Sequence, residues 1–245
     1  MKIESLLTKS SECDTMELST KAGNSSRITK IAPGIKDQNR VNISINDKFF
    51  CSLDISQLAD LKLKIGQTLD DAKLAELRSA SDFGKLYTRT LEFTLSRPHS
   101  EREIRDYLYK KTRDRLIRIK DPKTNTYKTI QRPGYDKTLV QPVLDRLTAK
   151  GHIDDQKFAQ FWAEHRHRAK GISTRRLAGE LQQKGIAKDA IDHVLQSSPR
   201  NESAELAKII TKKRPRYPDD HKLIAYLLRQ GFPYDDILAQ VKNNS

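Results

Sequence analysis

Residues 174–196 read TRRLAGELQQKGIAKDAIDHVLQ, and residues 220–242 read DHKLIAYLLRQGFPYDDILAQVK. The second stretch repeats the first 46 residues on: Leu177, Leu181, Gly185, Ile191 and Leu195 return as Leu223, Leu227, Gly231, Ile237 and Val241. Leu177 and Leu181 stand one helical turn apart, and Gly185 falls where a helix stops. Ile191 and Leu195 form a second apolar stripe at helical spacing. Such spacing, kept across a whole helix–turn–helix unit, marks tandem helical repeats. The cations recur too: Arg166, Arg168 and Lys170 fall on Lys212, Arg214 and Arg216. Core spacing serves folding alone, whereas charge at matching surface positions predicts a face for a polyanion or an acidic partner.

Working outward, each copy gains a leading helix. In the second copy it begins at Asp154 and carries Phe158, Phe161, Trp162 and His165. In the third it begins near Asn201, with Ala204, Leu206, Ala207 and Ile210. A first copy lies upstream, where a helix carries Leu86, Thr90 and Phe93. Ser100-Glu101-Arg102-Glu103 then fits a capping box, and Ile104 and Leu108 match Leu177 and Leu181 at an offset of 73. Its third helix holds Val143, Leu144 and Leu147 and ends at Gly151. Three copies are the minimum for a stable array, since no single unit covers its apolar face.

The first copy is stretched by an insertion over 113–137, which reads as a hairpin: residues 116–120 and 126–130 alternate around a loop at Pro122. From Lys110 to Lys137 there are ten Lys/Arg against three Asp, half of the formal +14 of the 245-residue chain. Lysines and arginines so placed meet phosphates, and Tyr127 can stack on a base. Upstream, 27–31, 41–45 and 48–53 alternate with period 2 around Pro33-Gly34 and Asn46-Asp47, a small antiparallel meander. A short helix through Leu58 and Leu61 and another over Leu74 and Leu77 follow. Residues 1–26 lack periodicity and read as a disordered tail.

The expected fold is therefore mainly α: tandem three-helix repeats in an elongated arc, with a small N-terminal β-rich unit and a β-hairpin inserted in the first repeat. The expected divisions are a tail (1–26), the β-rich unit with short helices (27–80), and repeats at 81–151, 152–198 and 199–245. Cys13 and Cys51 make no metal-type cluster or evident staple, and no stretch approaches about 18 consecutive apolar residues. A soluble, cytoplasmic, monomeric protein without membrane contact is expected. No Walker-type loop, CxxC pair or dinucleotide fingerprint is present, so no cofactor is expected.

Two constellations invite a catalytic reading. Asp154-Asp155, with Glu164, His165 and His167 nearby, could hold a divalent metal for phosphodiester cleavage. Yet Asp154 immediately precedes an apolar-periodic helix, where Asp accepts backbone N–H bonds, as Asp219-Asp220 and Asp235-Asp236 do at comparable positions. Trp162, Phe158 and Phe161 could stack bases, but their spacing suits a core. No enzymatic activity, catalytic residue or metal ligand is expected. The expected binding residues are a basic edge of Arg97, Arg102, Arg105, Arg166, Arg168, Lys170, Arg175, Arg176, Lys212, Arg214 and Arg216. In the hairpin they are Arg115, Arg118, Lys120, Lys123, Tyr127 and Lys128.

Residues 151–159 (GHIDDQKFA), 171–177 (GISTRRL), Glu180-Leu181 and 183–186 (QKGI) resemble the bacterial RecX regulatory family, and 96–108 (SRPHSEREIRDYL) is similar to its first-repeat motif. Residues 27–80 resemble an N-terminal extension of some members; the basic hairpin departs from the compact first repeat. The resemblance implies a non-enzymatic modulator lying in the groove of the RecA–DNA filament. There it would suppress ATP hydrolysis, strand exchange and co-protease action in recombination and DNA repair. RecA and single- or double-stranded DNA are the partners it implies. An alternative is a helix–turn–helix protein acting directly on DNA, with Gly185 in the turn. Its recognition helix would present Lys188, Asp189, Asp192 and His193, which is too acidic for a major groove.

Overall fold

The computed structural model describes residues 26–34, 37–122, 124–166, 170–198 and 200–243, so the expected tail lies outside it apart from Ser26. The chain divides into two compact units between Ser81 and Asp82.

In the first unit, strands β1 (Ser26–Pro33), β2 (Arg40–Ile45) and β3 (Lys48–Asp54) form the expected meander. Asn46 and Asp47 both take positive φ, 49° and 62°, in the turn that matches the twist of paired strands. Period-2 alternation buries Ile28, Ile43, Ile45, Cys51 and Leu53 on one face. A fourth strand, β4 (Thr68–Leu69), pairs with β1 through Ser26↔Leu69 and Arg27↔Thr68, giving the order β3-β2-β1-β4. Two residues carry no periodicity, which is why this strand has no signature in the sequence. Helix α1 (Ile55–Asp60) starts at a capping box between Asp54 and Gln57.

The helix expected over Leu74 and Leu77 and the one expected over Leu86, Thr90 and Phe93 are a single helix: α2 runs unbroken from Asp71 to Ser96. Ser81-Asp82 looks like a helix start, but no stop signal precedes it, and the Ser81 hydroxyl donates to the Ser52 carbonyl at 2.8 Å instead. Leu74, Leu77 and Ala80 pack on the sheet, while Phe83, Leu86, Tyr87, Leu91 and Phe93 serve the first helical core.

The second unit holds three cores in sequence. The first gathers α2, α3 (Glu101–Lys111) and α4 (Val140–Ala149) around Leu86, Ile104, Leu108, Val143 and Leu147. The second gathers α5 (Asp155–His165), α6 (Thr174–Gln183) and α7 (Lys188–Ser197) around Phe158, Leu177, Leu181 and Ile191. The third gathers α8 (Glu202–Lys213), α9 (Asp220–Arg229) and α10 (Tyr234–Asn243) around Leu206, Ile210, Leu223, Leu227 and Ile237. Of the matched positions, Leu177, Leu181, Ile191, Leu223, Leu227, Ile237 and Val241 are core and Leu195 is half-buried against it, while Leu228, between them, is exposed. Phe161 is an exception among the expected aromatics. It lies outside the cores and stacks on exposed His165 at 4.5 Å, and Trp162 is only half-buried.

Neighbouring repeats meet through the same three contacts twice. At the start of α3, Asp155 of the next repeat accepts from the Glu101 N–H at 2.8 Å. Glu202 does the same for the Thr174 N–H of α6 at 3.2 Å. One residue on, the Arg102 stem lies against Gly185, where a Cβ would come within 3.1 Å. Arg175 lies likewise against Gly231, at 3.4 Å. Both glycines hold positive φ (85° and 89°) at a helix end, so they serve as stop and docking floor together. One residue further, Glu103 pairs with Lys184 at 2.6 Å, and Arg176 donates to the Gln230 side chain.

Candidate functional site

The basic positions separate by what holds them. Five of the expected edge residues are engaged by their own chain. Arg97 pairs with Glu103 at 3.0 Å, and Arg105 pairs with Glu101 at 2.6 Å and reaches Gln141. Arg166 pairs with Glu180 at 2.9 Å beneath the Trp162 ring. Arg176 is held by Gln230, and Arg214 pairs with Asp220. Arg102, Lys170, Arg175, Lys212 and Arg216 are exposed and have no carboxylate partner among the described residues. The Arg216 guanidinium lies over Tyr217 at 5.9 Å. Arg168 lies outside the described residues. Arg97, Lys170 and Arg216 are equivalent under the offsets of 73 and 46 residues; the first is tied down and the other two are exposed.

Arg97 belongs to a small network on the first repeat. His99 is buried against Phe93 at 3.8 Å, and its Nδ1 meets Glu103 at 2.9 Å. Burial pulls the imidazole below its ordinary value, against the opposing hydrogen bond to Glu103. Burial also works to raise the Glu103 carboxyl, but the hydrogen bonds from Lys184 and His99 and the nearby Arg97 charge outweigh it, leaving Glu103 below the usual range.

The hairpin forms as expected, from β5 (Arg115–Lys120) and β6 (Tyr127–Arg132). Its register sets Arg115 opposite Arg132, Ile117 opposite Ile130 and Ile119 opposite Lys128 on one face. The other face sets Leu116 opposite Gln131, Arg118 opposite Thr129 and Lys120 opposite Tyr127. Arg118 stacks over the Tyr127 ring at 5.1 Å, and Lys128 makes only a loose pair with Asp121 at 3.8 Å. Lys123 lies outside the described residues. Leu116 is 75% exposed and Tyr127 59%, and no hairpin strand residue belongs to a core. Asp114 fastens the base by accepting from the Gly134 N–H at 3.0 Å and from Gln131. That backbone bond holds its carboxyl below the ordinary value. Sequence reasoning missed Arg132; carrying the alternation two residues past Ile130 places it on the strand facing Arg115.

The acidic pair is spent on helix ends. Asp154 caps α5 through the Lys157 N–H at 2.9 Å, a bond that holds its carboxyl low. Asp155 caps α3 of the preceding repeat, and burial pushes its carboxyl up. Asp219 caps α9 in the same way. No group of three or more His, Cys, Asp or Glu arranged to hold a metal exists among the described residues; His167 lies outside them. Among the described residues no helix is long and apolar enough to cross a membrane.

Comparison with known proteins places these features. Residues 154–195 match the family profile described as RecX, second three-helix domain, and residues 26–70 match that of the regulatory protein RecX N-terminal domain. The chain is 28% identical over 222 residues to the regulatory protein RecX of Bacillus velezensis, covering 88% of this chain and 76% of that one. It is 27% identical over 220 residues to the regulatory protein RecX of Clostridium tetani, covering 86% and 91%. A crystal structure of regulatory protein RecX superposes with a TM-score of 0.66 at 22% identity, covering 89% of this chain and 99% of that one, a likeness of fold.

Proposed function

The chain belongs to the RecX regulatory family, and from that membership we propose that it binds the RecA filament on DNA and restrains it. The restraint covers ATP hydrolysis, strand exchange and co-protease action. The observation that carries this reading is a set of exposed cations without a carboxylate partner among the described residues: Arg102 in the first repeat, Lys170 and Arg175 in the second, Lys212 and Arg216 in the third. A side chain charged, exposed and unpaired at recurring positions is available to phosphates or to acidic surface. The hairpin adds a second cationic element, with Arg115, Arg118, Lys120 and Arg132 on its strands and Tyr127 among them. Two separated contact regions on one chain raise the effective concentration of the second contact once the first is made.

The test is single-strand-dependent ATP hydrolysis by the cognate RecA, titrated with this protein and repeated in a large excess of DNA. Inhibition at well below one copy per RecA that survives the excess is the expected result. Inhibition erased by added DNA reduces the effect to competition for the strand and overturns filament binding. The combined variant Arg102→Glu, Arg175→Glu, Arg216→Glu leaves all four cores untouched, and glutamate keeps the Cβ, Cγ and Cδ atoms that lie against Gly185 and Gly231. It should retain helicity while losing about tenfold or more in inhibitory potency.

A further inference from the structure

A cavity of about 180 Å³ lies where the second and third repeats meet. Its wall includes Lys170, Ser173 and Arg176 from the second repeat and Lys212, Lys213 and Tyr226 from the third. Four of these six are cations, and no carboxylate is among the lining residues. Of the lining cations Glu180 reaches only Arg176, at 3.9 Å, and the acids of α8 are occupied elsewhere. Glu205 accepts from the Ile172 N–H at 3.1 Å and pairs with Arg200 and Lys208, while Glu202 holds the Thr174 N–H and hydroxyl. Lys170 and Lys212 are exposed and have no carboxylate partner among the described residues. The Lys213 ammonium stands over the Tyr226 ring at 5.5 Å, and that ring is braced by Tyr217 at 5.1 Å. The wall is built by close approach: a Cβ on Gly171 would come within 2.5 Å of the Glu205 carbonyl oxygen.

Like charges drawn into a concavity raise one another's energy unless an anion joins them. In this cluster Arg176 alone meets a carboxylate, Glu180 at 3.9 Å, and Lys170, Lys212 and Lys213 have none among the described residues. Its positive charge suits an anion carrying more than one negative oxygen, and its size admits one phosphate with part of the group attached. Tyr226 offers the attached sugar or base an aromatic face. We propose that this cavity is a phosphate-binding site, with Lys170 and Lys212 as its principal charge contacts and Tyr226 as the surface beside the phosphate. The assignment deepens the basic-edge reading and rests on it for the source: either a phosphate of a bound nucleic-acid strand or a free phosphate compound.

The test uses the full chain, its Lys170→Ala, Lys212→Ala double variant, and the hairpin deletion of residues 115–131. Both lysines are exposed and outside the cores, so the double variant keeps its fold. Binding of a fluorescein-labelled oligothymidylate is measured against salt, and again with inorganic phosphate replacing chloride at constant ionic strength. If a strand supplies the phosphate, the double variant loses about tenfold in affinity, its log–log salt slope falls by about 1.4, and phosphate displaces the strand from the unmodified chain. If a free compound supplies it, strand binding is unchanged, but inorganic phosphate shifts the side-chain NMR signals of Lys170 and Lys212 saturably. Absence of both responses overturns the proposal. Strand binding that then still depends on the hairpin leaves the wider basic reading standing, and its absence in every variant removes both.

Discussion

Glu205 is a carboxylate only 4% exposed, and every group it touches comes from a different purpose. The Ile172 N–H belongs to the turn before α6, Lys208 is one helical turn along α8, and Arg200 reaches it from the loop while also donating to the Glu164 and Arg166 carbonyls. Removing one member of such a group strands the rest. Glu205→Leu should cost about 2–3 kcal/mol and lower the thermal midpoint by about 5–10 °C, read by circular dichroism. Glu205→Gln, which keeps the acceptor for Ile172, should cost less. His99 and Glu103 make the first repeat sensitive to acid. A histidine whose folded value lies below 6.5 binds fewer protons folded than unfolded. Its contribution is therefore complete above about pH 6.5 and is lost as pH falls through that value. Glu103, held below 4.5, adds a second loss at lower pH. Urea midpoints should fall from pH 7 to 5.5, and His99→Gln should flatten that window while leaving the lower one. Neither group is legible in the sequence as a network. Glu205 reads as one more first-turn acid, and only the packing of α8 against Gly171 shows that water is excluded from it.

At the scale of elements, the hairpin is separable. None of its strand side chains contributes to a core, so deletion of residues 115–131 should leave far-ultraviolet dichroism per helical residue unchanged. The same deletion removes five cations, and the salt slope of single-strand binding should fall by about 3. An unchanged slope would mean that the hairpin does not meet phosphate. The hairpin was legible because alternation, Pro122 and charge all fall within one short window. The helices were legible where a cap and a stop frame them: Ser100, Asp154, Ser173, Asn201 and Asp219 all accept backbone N–H bonds at their helix starts. The middle of α2 misled because Ser81-Asp82 imitates a start, and a start without a preceding stop does not end a helix. β4 was illegible because pairing over two residues is decided by β1, not by its own side chains.

For the whole molecule, the helical cores follow one another in order, so the loss of one repeat should weaken its neighbour without dissolving it. Truncation after Ser198 removes Glu202, Glu205 and Gly231 from the α6 side of the junction but leaves Phe158, Leu177, Leu181 and Ile191 together. The shortened chain should stay helical and unfold at lower urea than the full chain. Loss of the helical signal of both remaining repeats would show that the second core depends on the third. The repeat itself was plain in the spacing of Leu177, Leu181 and Gly185, but the junction was not. All of its contacts but that of Thr174 with Glu202 join residues more than fifty apart, such as Glu101 with Asp155, and a lone polar or aliphatic contact leaves no periodic trace. The cations show the same limit, since Arg214 and Lys212 look alike in sequence and differ only in whether Asp220 stands beside them. The third repeat departs from the twice-used junction at its own α9 start. Where Ser173, Thr174, Arg175 and Arg176 welcome a successor, the third repeat presents Asp219, Asp220, His221 and Lys222. An incoming acid would meet two carboxylates, and the docking arginine is gone. The start of α9 therefore lacks the docking features of α6, and Asp219→Ser, Asp220→Thr, His221→Arg and Lys222→Arg together should make it a connector able to accept a grafted further copy.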